Sequence, residues 1–153
     1  MRRTISVLAM TASLVLSCHG DSGPTAPEQP TPQLAGSWQG NVHFNAPVSF
    51  YYDEASCPDQ PVTVSINQHG LAIDGSIQAQ CVTAQFQATI GPSFRVAYGT
   101  ATQTAAGVSY TANLTLNLLV DSNGSILRMS GSTTPFTSST GGQLDSVVLT
   151  LSR

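Results

Sequence analysis

The side chains that could do chemistry are few and widely spaced. Of the three cysteines, Cys18, Cys57 and Cys81, the last two show neither CxxC spacing nor a neighbouring histidine, so they do not make a zinc ligand set. His43 and His69 have no Asp, Glu or Cys at a spacing that would build a triad or a metal site, and acid–base catalysis requires such positioned partners. Both histidines read as strand-edge or turn residues. Asp53, Glu54 and Asp59 crowd Cys57 and offer the hard oxygen ligands that Ca²⁺ takes, but EF-hand spacing is absent and Pro58 and Pro61 contribute no ligand. A solvated acidic loop is the expectation there. The many serines and threonines include no Gly-x-Ser-x-Gly elbow. These residues point to a non-enzymatic protein with no metal and no cofactor.

The elements around these residues begin with a leader. Arg2 and Arg3 precede an apolar run, Ile5 to Leu16, that is too short to span a bilayer and suits a signal peptide. It ends at Val15-Leu16-Ser17-Cys18, which resembles the lipobox of bacterial lipoproteins: an apolar residue, a small one, then the cysteine that is diacylated. Leu16 is bulkier than the residue usual before the small one. The resemblance implies removal of residues 1–17 and a membrane partnership through lipid on Cys18, since two or three acyl chains anchor stably where one binds marginally. Ordinary cleavage, with Cys18 left as a free thiol, is the alternative. If lipid takes Cys18, then Cys57 and Cys81 remain as a pair in an oxidising compartment, and a disulfide between them would span 81 − 57 = 24 residues. The implied location is the cell envelope. His19, where an aspartate would retain a lipoprotein in the inner membrane, favours the outer membrane of a two-membrane cell, on its periplasmic face or the cell surface.

Removal of the leader leaves 153 − 17 = 136 residues, carrying Arg95, Arg128 and Arg153 against eight acids, a net charge of 3 − 8 = −5, and no lysine. That balance offers no basic patch for nucleic acid or an anionic lipid surface. Residues 18–33 contain Gly20, Gly23, Pro24, Pro27, Pro30 and Pro32 with almost nothing apolar, and read as a tether. Residues 34–153 form one domain in which period-two runs are separated by turn residues, the pattern of an all-β fold. Val62, Val64 and Ile66 share a face, then Ile73 and Ile77 after a turn at Gln68-His69-Gly70. Ala84, Phe86, Ala88 and Ile90 follow, then Phe94, Val96 and Tyr98 beyond Gly91-Pro92. The longest run, taken as the seventh strand, places Tyr110, Ala112, Leu114, Leu116 and Leu118 together. It ends at Asp121-Ser122-Asn123-Gly124, a type I′ hairpin signal. A Ser/Thr loop and Gly141-Gly142 lead to Val147, Leu149 and Leu151.

An antiparallel up-and-down β-barrel of about eight or nine strands accommodates this pattern, with a sandwich as the alternative. A transmembrane barrel would turn its apolar face to lipid between aromatic girdles, and aromatics are only 7% here. The opening Gly36-Ser37-Trp38 is similar to the Gly-x-Trp start of lipocalin-like and avidin-like barrels, where the tryptophan closes the barrel bottom. The Thr-Asp-Tyr segment and C-terminal helix of lipocalins are absent, as are the further tryptophans with which avidins grip biotin. Arg128 or Arg153 is a candidate to stack on Trp38. The resemblance implies an apolar interior, lined by Trp38, Phe86, Phe94, Tyr98, Tyr110, Leu114 and Leu116, that takes a small apolar ligand. The alternative is a fully packed barrel serving as an envelope interaction or structural module, its protein partner unspecified.

Overall fold

Alternation of apolar and polar side chains dictates the secondary structure from Gly36 onward, because successive strand residues point to opposite faces. The computed structural model describes residues 30–45, 57 and 59–153. The leader, Cys18, most of the tether, and Asp53 and Glu54 lie outside the described residues. Ten strands run in chain order: β1 (Gly36–Asn45), β2 (Gln60–His69), β3 (Ala72–Gln78), β4 (Thr83–Ile90), β5 (Val96–Ala105), β6 (Val108–Val120), β7 (Ile126–Thr133), β8 (Phe136–Thr137), β9 (Gln143–Leu144) and β10 (Ser146–Ser152). There is no helix among the described residues.

From β1 to β7 each strand pairs antiparallel with the next, and β10 inserts between β7 and β1. The eight long strands therefore close into an up-and-down barrel, which leaves no long free edge for another chain to pair with. The long strand that alternation places seventh is β6, the sixth. The two-residue strands β8 and β9 form a small hairpin beside β6, with Thr111 opposite Thr137.

Inside the barrel, small and large residues alternate across neighbouring strands. One row reads Ala97, Leu116, Gly131, Leu149. Another reads Ile73, Ala88, Gly99, Leu114. Each bulky side chain occupies the room its neighbour leaves, the condition for filling a core without strain. A Cβ on Gly131 would lie 2.9 Å from Leu116 Cδ2 and 3.2 Å from Leu149 Cδ1, so this glycine is needed for want of space.

The same packing corrects the expectation for β5. Alternation places Phe94, Val96 and Tyr98 inside, whereas the structure buries Ala97, Ala101 and Gln103 and leaves Tyr98 61% exposed on the outer wall. β5 begins only at Val96, and Phe94 lies in the preceding turn with φ 56°, packing half-buried against the core from there. A displacement of one residue inverts every side chain of a strand. The side chains facing Leu114 and Leu116 are small because the space beside those leucines is small.

The Asp121 turn also differs from expectation. Only Gly124 among its residues has a positive φ, 81°, while Asp121 Oδ1 accepts hydrogen bonds from the Asn123 and Ser125 amides, each at 2.8 Å. The aspartate thereby stabilises a type I turn closed by a left-handed glycine, a geometry that competes with type I′. The type I′ geometry occurs instead at Ala106-Gly107, where φ is 50° and 77°.

Cys57 and Cys81 are disulfide-bonded, their Cα atoms 6.0 Å apart, which ties the β1–β2 connection to the β3–β4 connection. In a chain-entropy account, Cys57→Ser is expected to destabilise the domain by roughly 2–4 kcal/mol, read from urea unfolding with the thiol of Cys81 blocked. Non-reducing peptide mapping of exported protein should recover the 57–81 cross-link, and two free thiols there would contradict it.

Candidate functional site

The contacts that close the interior sit at the two barrel ends. At the first end, β1 starts and the β2–β3, β4–β5 and β6–β7 turns gather. Trp38 is the first large inward residue of β1, and both it and Leu34 are fully buried. Trp38 Nε1 donates to the Leu34 carbonyl at 2.8 Å, which satisfies the one polar group of the buried indole. The guanidinium of Arg153 lies 4.5 Å from the Trp38 ring centroid and donates to the Ala35 carbonyl at 2.5 Å. Of the two candidate arginines, the C-terminal one makes the stack.

Gln68 completes this closure. Its Oε1 accepts from the Leu34 amide at 2.6 Å, and its Nε2 donates to the carbonyls of Pro32 and Gly70 at 2.8 and 2.9 Å. Pro30 lies over Gly124 in the β6–β7 turn. Residues 30–33, which composition groups with the tether, are thus held against the barrel, and the side chain responsible is a glutamine that no sequence pattern distinguishes.

At the opposite end, the β8–β9 hairpin extends the barrel wall beside β6. Phe136 is fully buried and Leu144 nearly so, and Tyr110, near Gly142, and Val82 are buried as well. Thr133 Oγ1 accepts from the Val147 amide at 3.0 Å, and Gln60 Oε1 accepts from the Cys81 amide at 2.9 Å. No buried side-chain polar atom among the described residues lacks a hydrogen-bond partner. Composition alone reads the stretch from residue 133 to Gly141-Gly142 as a Ser/Thr loop, and the signal for the hairpin was the isolated apolar pair Phe136 and Leu144.

Of the residues expected to line a ligand site, Trp38, Phe86, Tyr110, Leu114 and Leu116 do share the interior, Phe94 borders it from a turn, and Tyr98 is outside. The interior is closely filled: a ligand-sized void would leave accessible surface on its lining, and Trp38, Leu114, Leu116, Leu149 and Leu151 retain no more than 2% each. Two surface depressions, of about 310 and 400 Å³, lie on the outer wall of β3, β4 and β5 and share Asp74, Gln87 and Thr100.

His43 and Asp59, unremarkable in sequence, are brought into contact through Nδ1 and a carboxylate oxygen. Their side chains are 58% and 72% exposed, so the pair is screened by water and adds little stability. His69 ends β2 on the surface. Among the described residues, no three His, Cys, Asp or Glu side chains group closely enough to hold a metal ion.

Comparison with protein-family models, curated proteins and solved structures found no match. The likeness to calycin-type barrels therefore stands on geometry: eight closed antiparallel strands, with a tryptophan of the first strand sealing one end beneath an arginine.

Arg153→Ala is expected to cost about 1 kcal/mol, the scale of an exposed cation–π contact together with a lost hydrogen bond. Trp38 is the only tryptophan, so its emission reports directly on this end and should shift to the red as water gains access. Unchanged emission and unfolding midpoint would show that Arg153 does not support the closure.

Proposed function

We propose that this chain is a lipid-anchored cell-envelope protein whose barrel acts as a packed interaction or structural module. The anchoring part rests on the leader and the lipobox-like Val15-Leu16-Ser17-Cys18, with His19 favouring the outer membrane. The observation that carries the module reading is the complementary filling of the interior, in which glycines and alanines stand beside Leu114, Leu116 and Leu149 and no accessible lining is left for a guest. A barrel that carries a small apolar ligand would need such a lining. Function then belongs to the outer wall and the ends, where the side chains are neutral amides and hydroxyls for the most part.

Two measurements test the two halves separately. Cys18→Ala should abolish incorporation of a fatty-acid analogue and either release the protein from membranes or leave it as uncleaved precursor; equal labelling of variant and parent would refute anchoring at Cys18. Leu116→Ala should cost about 2–5 kcal/mol, from lost transfer energy plus the cavity left behind. Native mass spectrometry should show no apolar adduct on the parent. A cost below roughly 0.5 kcal/mol, the range of ordinary surface changes, together with a co-purifying lipid would overturn the packed interior in favour of a ligand carrier.

A further inference from the structure

The overall charge balance argues against binding an anionic lipid surface, but the arginines and the exposed leucines are not spread evenly over the barrel. Among the described residues the large apolar side chains left exposed are Leu71, Tyr98, Leu119 and Leu127, and all four belong to the end closed by Trp38. Leu71 lies in the β2–β3 turn. The Tyr98 ring leans towards Gly91 of the β4–β5 turn. Leu119 and Leu127 flank the tip of the β6–β7 hairpin. Single exposed leucines are ordinary, but their confinement to one end is not.

A break in strand register makes the last of these possible. Leu119 pairs with Arg128 and Val120 with Ile126, so Leu127 is the extra residue of a β-bulge. The bulge turns Leu127 and Arg128 outward in succession, and bulges commonly re-aim side chains in this way. Arg95, in the β4–β5 turn, accepts the Leu118 amide on its carbonyl and so lies beside the same hairpin. With Arg153, all the arginines beyond the leader are at this end. Among the described residues its acids are Asp74, which accepts a hydrogen bond from Asn67, and Asp121, whose Oδ1 is engaged by the turn amides.

The segment that leads in from Cys18 joins the barrel here too. Pro30 sits over the β6–β7 turn, and Cys18 precedes it by 30 − 18 = 12 residues, a reach of at most about 40 Å.

We infer that this end is a membrane-contacting face: Leu71, Tyr98, Leu119 and Leu127 enter the boundary between headgroups and acyl chains of an anionic bilayer, with Arg95 and Arg128 at the level of the lipid phosphates. Aromatic and leucine side chains beside arginine suit that depth, where apolar bodies bury and guanidinium groups meet phosphate. The inference rests on the anchoring reading for its biological setting, and adds to it the orientation of the barrel. It can be tested without any acyl chain, so the two can fail independently.

The mature chain from residue 18, carrying Cys18→Ser and no lipid, is mixed with vesicles of phosphatidylcholine alone or with phosphatidylglycerol added, and binding is read by flotation. The expected result is binding to the anionic vesicles that exceeds binding to the neutral ones. Leu119→Ser with Leu127→Ser should lower the partition coefficient about tenfold or more. Arg95→Gln with Arg128→Gln should remove the preference for anionic lipid, a loss of up to roughly thirtyfold. Thermal unfolding controls for the fold, which these exposed positions should leave intact. In a second measurement, Leu127→Trp is expected to be quenched by brominated lipid, and Thr104→Trp, near the opposite end, is not. A chain that floats with neither vesicle, paired variants that bind like the parent, or equal quenching at both tryptophans would overturn the inference.

Discussion

Closure of the sheet between β1 and β10 is the constraint on which the rest of the structure depends. The first and last long strands pair along seven residues, from Gln39 opposite Ser152 to Asn45 opposite Ser146. The approach is so close that a Cβ on Gly40 would fall 1.8 Å from the Thr150 carbonyl oxygen, so no other residue fits this point of the seam. Until the pairing forms, an apolar face made of eight strands is open to water and both sheet edges, β1 and β10, are unpaired. Once it forms, the interior volume is fixed by strand number and tilt, and side chains must fit it. The alternation of small and large residues follows from that limit, and so does the outward turn of Tyr98, for which β5 has no space opposite Leu114 and Leu116.

Closing a cylinder still leaves two open ends, and the chain seals them by different chemistry. The Trp38 end is sealed by polar contacts around an aromatic plug: the indole N–H, Arg153 and two of the Gln68 hydrogen bonds hold residues 32, 34 and 35, while the third ties Gln68 to Gly70 of the β2–β3 turn. The far end is held by a disulfide and by the β8–β9 hairpin, in which Phe136 is buried. The division has a physical sense. A covalent link suits an end where two connections must be held together, and this one also restricts the unfolded chain by closing a loop across a separation of 24 residues. The Trp38 end needs no such link, since the strand termini themselves supply the closing groups.

Much of this was legible from the residues. β4 and β6 alternate without interruption, so their inward faces were read correctly from Ala84, Phe86, Ala88 and Ile90 and from Tyr110 to Leu118. The pairing of Cys57 with Cys81 and the sealing position of Trp38 were legible as well. The face of β5 was not, because its buried side chains are two alanines and Gln103 and its bulkiest one is outside, so hydrophobicity points the wrong way. That strand can be assigned only by knowing what lies across from it. The contact of His43 with Asp59, the burial of Phe136 in the β8–β9 hairpin and the role of Gln68 share one cause: each depends on which distant segments the closed barrel brings together. A short apolar run such as Phe136 or a lone amide such as Gln68 carries no local periodicity to reveal that.

The outer wall follows from the same closure. A barrel of this size buries only alternate residues, so half of every long strand faces out, and here that half is threonine, serine, glutamine and asparagine with scarcely a charge. Such a wall offers hydrogen-bonding groups everywhere and electrostatic direction almost nowhere. Any preferred orientation of the molecule must then come from its ends. The ends differ sharply: one carries the arginines and the exposed leucines, the other the disulfide, the buried Asp145 and the exposed Asp59. In a molecule whose wall is uniform, that polarity along the barrel axis is the feature able to set which way it faces. The bulge at Leu127 strengthens it, because a regular hairpin would have turned either Leu127 or Arg128 inward, and the extra residue lets both face out at the same end.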